Sequence, residues 1–123
     1  MLKKLVAAWL PVAAWCGLIF YFSSIPDLKT SLGLWDLILR KAAHAFEYFV
    51  LFALSFRAFK AGAVSGRKLF FFAFVFTVLY ACSDEFHQSF VADRVGSVKD
   101  VGIDSFGALL GLITIRKIYD KSK

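Results

Sequence analysis

Apolar residues gather into four runs along this chain, Leu5 to Phe22, Ala42 to Phe59, Leu69 to about Cys82 and Val101 to Ile115, with polar residues between and beside them. Each run approaches the roughly 20 residues that a helix needs to cross a ~30 Å hydrocarbon core. The pattern predicts helices at about 5–22, 36–59, 69–89 and 100–116, forming one all-α membrane domain over residues 1–123 as a bundle of four transmembrane helices. Pro26 biases Ile25 away from the α region and closes the first helix. Leu32, Leu34, Trp35, Leu37 and Ile38 then read as a short interfacial stretch with Trp35 at headgroup depth, and Asp36 reads alternatively as part of the first turn of helix two. The stretch from Ala61 to Gly66 predicts a tight turn whose conformation the glycines supply.

Composition sharpens the membrane reading. Hydrophobic residues make up 59% of the chain and charged ones 20%, and the mean hydropathy is +0.67, which excludes an ordinary soluble domain. Lys3 and Lys4 ahead of the first run resemble a signal peptide's basic region. The run is long, however, and no small-x-small pattern closes it, so it is expected to stay as helix one. The net charge of +6 lies on the flanks of the apolar runs rather than on a stripe interleaved with aromatics, so nucleic acid is not an expected partner. Cys16 and Cys82 lack metal-ligand spacing and read as packing residues.

Charge also orients the chain. With helix one starting inside, Lys3, Lys4, Arg57, Lys60, Arg67, Lys68, Arg116, Lys117, Lys121 and Lys123 fall on the inner side. Lys29, Arg40, Lys41, Arg94 and Lys99 fall on the outer side. The positive-inside rule then places both termini in the cytoplasm of a multi-pass membrane protein. The acids are distributed in the opposite sense. All but Asp120 lie in the outer half, where they have little topological weight and need a local or functional reason.

That half holds the candidate chemistry. A charge facing lipid in mid-membrane costs on the order of 3 kcal/mol, so ionisable groups within spans turn toward partners or a wet cavity. Helical spacing puts Lys41, His44, Tyr48, Leu51 and Ser55 on one stripe, Asp84, Gln88 and Val91 on a second, and Asp100, Asp104, Gly107 and Gly111 on a third. His44, Glu47 and Asp84 are the candidate catalytic residues. Lys41, Tyr48, Glu85, Gln88, Arg94, Asp100 and Asp104 are the candidate substrate-binding ones. Gly107 and Gly111 form a GxxxG pattern that draws the carboxylates above them against a neighbouring helix. Several readings stay open. His44 and Glu47 suit a structural i, i+3 pair as well as a site, Asp84, Glu85 and His87 suit a hydrated helix end, and Asp100 suits an N-cap. Ser83 and Ser89 are nucleophile candidates without geometry. The set His44, Glu47, Asp84 and His87 has zinc or manganese chemistry but no diagnostic spacing, so no metal or other cofactor is expected.

The order of these fragments resembles the VanZ-like family of small bacterial integral membrane proteins. The resemblance rests on Ser23-Ser24-x-Pro26, Lys41-x-x-His44-x-x-Glu47-Tyr48, Asp84-Glu85-x-x-Gln88-x-Phe90, Arg94, Ser97, and Asp100-Val101-x-x-Asp104-x-x-Gly107 with Gly111. The chain departs from it at Ala92-Asp93, where members often have Pro-Gly, and at Asp104, where many have Asn. The family takes its name from a protein associated with low-level resistance to the lipoglycopeptide teicoplanin. The resemblance therefore implies a cell-envelope role at the extracytoplasmic face. The expected ligand is a lipid-linked envelope molecule or such an antibiotic, among membrane lipids, with the oligomeric state open. A structural or regulatory membrane subunit, whose polar belt only holds helices together, is the competing reading.

Overall fold

A computed structural model describes residues 2–24, 34–90 and 98–121. It contains four helices, α1 (Leu2–Ser24), α2 (Leu34–Ala61), α3 (Gly66–Gln88) and α4 (Val98–Lys121), and no strand among the described residues. The protein is all-helical. Each helix runs past the apolar run that predicts it, because backbone hydrogen bonding continues into the charged ends. Asp36 thus belongs to the first turn of α2, and Asp100 lies inside the first turn of α4 rather than ahead of it as a cap. Most of the expected interfacial stretch before α2 lies outside the described residues, while Trp35 is helical and exposed.

Leu2–Phe22 and Gly66–Gln88 are long and apolar enough to cross a membrane. At about 1.5 Å per residue, the 28 residues of α2 and the 24 of α4 also reach beyond a ~30 Å hydrocarbon core, but charges at their ends and within them, Glu47 and Asp104 among these, dilute their hydropathy.

Helix α2 is the centre of the bundle. It packs against α1, α3 and α4, while α1 and α4 lie on opposite flanks of the α2–α3 pair and do not touch among the described residues. One core, built on Ala8, Val12 and Ile19 of α1 with Tyr48, Leu51 and Ala58 of α2 and Ala81 of α3, joins the first three helices. A second, built on Phe52 and Phe56 of α2 with Leu69 and Ala73 of α3, takes in Leu112, Ile115 and Tyr119 of α4. Two long-range hydrogen bonds fix α1. The Trp15 indole donates to the Glu47 carbonyl at 2.8 Å, and the Tyr80 hydroxyl donates to the Cys16 carbonyl at 2.6 Å.

The turn between α2 and α3 closes as a Schellman cap. Val64 N–H donates to the Phe59 carbonyl and Ala63 N–H to the Lys60 carbonyl. The residue at positive φ in that cap is Ala63, at 69°, rather than a glycine as the sequence leads one to expect. Gly66 takes φ 67° as α3 begins. Leu5 of α1 lies beside Gly62, and the Lys60 ammonium sits 5.5 Å over the Tyr119 ring. The α2–α3 turn, the start of α1 and the end of α4 therefore share one end of the bundle.

Large apolar side chains cover the outside. Leu10, Phe71, Leu79, Phe86, Phe106 and Ile118 are each more than half exposed. Side chains of this kind on every flank of a bundle are what a hydrocarbon solvent accepts and water does not.

Candidate functional site at the polar end of the bundle

Three helices raise polar side chains into one buried layer. Helix α2 contributes His44, Glu47 and Tyr48, α3 contributes Asp84, Glu85 and Gln88, and α4 contributes Asp104. Tyr48 is fully buried and its hydroxyl donates to the Asp84 carboxylate at 3.0 Å. His44 Nδ1 lies 3.7 Å from the Glu47 carboxylate and 3.8 Å from that of Asp104. His44 retains 23% of its side-chain exposure and Glu47 19%, against 1% for Asp104, so the layer opens outward on the α2 side.

Glycine sets this geometry. A Cβ on Gly107 would run into the Ala45 carbonyl oxygen and meet the Ala45 carbonyl carbon at 2.8 Å, so α2 and α4 touch backbone to backbone one turn below Asp104. A Cβ on Gly111 would lie 3.1 Å from the Phe52 side chain. The two glycines form the seam between the helices, and that seam delivers Asp104 to His44. The stripe from His44 through Tyr48 and Leu51 to Ser55 points inward along its length, the last three being fully buried. Asp84 and Gln88 point inward together on α3, with 3% and 2% exposure.

The structure separates residues that the sequence left together. The His87 ring stacks on Phe20 of α1 at 4.1 Å, while its neighbours Asp84, Glu85 and Gln88 are buried in the layer. The partner that joins Asp84 is thus Glu85, not His87. Carboxylate oxygens of Asp84, Glu85 and Asp104 all lie within 4.8 Å of one another, and the three residues are buried. Three hard oxygen donors at that spacing have the chemistry to hold a small divalent cation such as Mg²⁺ or Mn²⁺. Carboxylates this close repel one another, so the cluster favours positive charge, whether from a cation or from a basic side chain.

Ser83 and Ser89 drop out as nucleophile candidates. Both are exposed, and their hydroxyls donate to the carbonyls of Tyr80 and Phe86 in their own helical turn. Lys41 is half-buried one turn before His44. Arg94 and the side chain of Asp100 lie outside the described residues, as do the Ser23-Ser24-x-Pro26 side chains and Ser97. Sequence reasoning missed Ala45 and Trp15. Ala45 had a signal, since a small residue beside a charged stripe is where a GxxxG helix can approach. Trp15 had none, because its partner is a backbone carbonyl.

The comparisons with known proteins accord with this arrangement. No curated protein and no solved structure matches the chain. The VanZ/LLP1 family model does match it, over residues 8–119, from the first turns of α1 almost to the end of α4. That span takes in every member of the polar layer and, with the two helices apolar enough to cross a membrane, marks a membrane protein. The chain belongs to the VanZ/LLP1 family.

Proposed function

We propose that this protein crosses the bacterial cytoplasmic membrane four times, with both termini inside, and that its polar layer binds the head group of a lipid-linked cell-envelope molecule from the extracytoplasmic side. The observation that carries the reading is the gathering of His44, Glu47, Tyr48, Asp84, Glu85, Gln88 and Asp104 from three helices behind an apolar exterior. Side chains of that chemistry are costly in a membrane, and their convergence on a partly open layer gives the cost a use. His44 and Lys41, joined by Arg94 from the segment after α3, meet phosphate or carboxylate. Glu47, Asp84 and Asp104 hold those cations in place, and Gln88 and Tyr48 supply neutral hydrogen bonds. If the head group is also processed, His44, Glu47 and Asp84 are the groups to move its proton, and His44 is the more exposed of the two on α2.

Teicoplanin, an amphiphile with an envelope target, is the second ligand this reading admits. The competing reading, a structural or regulatory subunit held together by its polar belt, draws on the Tyr48–Asp84 hydrogen bond and the near-complete burial of Asp84, Glu85 and Asp104. One experiment separates the two. His44→Gln, Asp84→Asn and Arg94→Gln variants are expressed from the same promoter in a strain lacking the native protein, and membrane level, envelope-lipid profile and teicoplanin sensitivity are measured. Binding predicts normal levels with an altered profile or sensitivity. Loss of the protein from the membrane supports the structural subunit, and unchanged phenotypes at normal levels contradict the site.

A further inference from the structure

The opposite end of the bundle carries a second charged feature. Between α1 and α2, a groove with a cavity volume of about 370 Å³ is lined by Lys4, Ala7 and Ala8 of α1 and by Arg57, Lys60 and Ala61 of α2. Its charge comes from three cations, and no carboxylate lines it. None of the three basic side chains has an ion-pair partner among the described residues, and the one acid of this end, Asp120, lies by Arg116 on α4 at 4.0 Å. The floor is alanine, which leaves room that larger side chains would fill. The volume falls at the lower end of the roughly 300–1,000 Å³ typical of small-ligand sites. Lys60 lines the groove from α2, and its ammonium sits 5.5 Å over the Tyr119 ring on the α4 side.

Topological signalling explains why basic residues stand at this end, but it requires neither their convergence on one groove nor the small residues beneath them. Basic pockets between membrane helices are sites for anionic head groups. Pro11 adds to the local polarity, because it has no N–H to donate to the carbonyl of Ala7, a residue of the groove wall.

We infer that the Lys4–Arg57–Lys60 groove between α1 and α2 binds the phosphodiester head group of an anionic membrane lipid, whose acyl chains lie along the apolar stripe of α1 that continues from Ala7 through Pro11 and Ala14 to Leu18. Ala7, Ala14 and Leu18 are exposed and Pro11 partly so, and their spacing keeps them on one side of the helix beside the groove. The site rests on insertion in a bilayer but not on the head-group reading of the polar layer, about 20 Å away along α2 between Arg57 and His44.

The test uses the full-length protein in nanodiscs of phosphatidylcholine with and without phosphatidylglycerol, and counts phosphatidylglycerol retained after mild delipidation by native mass spectrometry. Its affinity is read by titrating a fluorescent phosphatidylglycerol. Lys4→Gln, Arg57→Gln and Lys60→Gln are each expected to weaken binding about fivefold, as for a cation lost near a charged lipid. Arg67→Gln, Lys68→Gln and Lys117→Gln remove equal charge from the same end and are expected to leave it within about twofold, since none of them lines the groove. Ala7→Phe fills the groove without touching its charge and is expected to weaken binding as much as a cation deletion, which keeps the test decisive if a charge variant fails to fold. Inorganic phosphate is expected not to compete. Equal losses in the control variants, undiminished binding in Ala7→Phe, or displacement by inorganic phosphate overturns the inference.

Discussion

Tyr48 shows how much one side chain holds at this site. Its ring fills the junction of α1, α2 and α3, and its hydroxyl is the donor that Asp84 accepts at 3.0 Å. Tyr48→Phe keeps the ring and removes the donor, and the loss of a buried bond to a carboxylate is expected to cost about 1–3 kcal/mol. Reversible unfolding in mixed micelles measures that cost. A change under ~0.5 kcal/mol would mean that the bond is readily replaced by water. His44, Glu47, Asp84 and Asp104 were legible in the sequence because an ionisable group inside an apolar helix has few places to go. The choice of Glu85 over His87 for the site was legible too, but its cause was not. It depends on how α3 rotates, and α3 takes its rotation from Tyr80 on the Cys16 carbonyl and from Phe20 against His87, both contacts with α1 that no spacing within α3 encodes.

Between elements, the controlling contact is the one at Gly107. A methyl there meets the Ala45 backbone, which cannot move as a side chain does, so Gly107→Ala forces α2 and α4 apart. Overpacking of this kind costs about 1–3 kcal/mol, and the shift also carries Asp104 away from His44. The variant is expected to lose stability and site function together. Gly102→Ala, at a glycine where an added methyl would meet nothing within 4 Å, is expected to lose neither. The α2–α3 turn gives a prediction of opposite sign. Ala63 occupies the left-handed position of the cap at φ 69°, which costs an L-residue roughly 1–2 kcal/mol that glycine avoids. Ala63→Gly should therefore raise the melting temperature, and an unchanged or lower value would show that chain entropy outweighs the relief. The sequence predicted that glycines supply this turn, and Gly66 does so at φ 67°, while the cap of α2 falls on Ala63. The position at positive φ is counted from where α2 stops, and because α2 runs to Ala61 the left-handed residue of the cap is Ala63, one past Gly62.

As a whole molecule, the bundle reverses the usual distribution of polarity. Its polar layer is inside at one end, its large apolar side chains are outside, and cations gather at the other end with the α2–α3 turn. The helix count was legible because four apolar runs are separated by turn residues and charges. The crossing of all four through a membrane is a claim of topology, and an accessibility experiment tests it. In a Cys16→Ser, Cys82→Ser background, Gly62→Cys is expected to react with an impermeant maleimide only after the cells are opened, and Trp35→Cys to react in intact cells. Labelling of both from the same side would rule out a membrane crossing by α2 between them.

The most direct test of the polar layer as a binding site is the lipid that copurifies with it. Wild-type protein and Asp84→Asn, extracted under identical mild conditions, are compared for bound lipid-linked envelope molecules by mass spectrometry and for thermal stability in the same preparation. The account predicts that Asp84→Asn stays folded, with a melting temperature within a few degrees of wild type, and loses the bound molecule. A variant that retains the molecule, or a wild-type protein that carries none while Asp84→Asn unfolds, would contradict it.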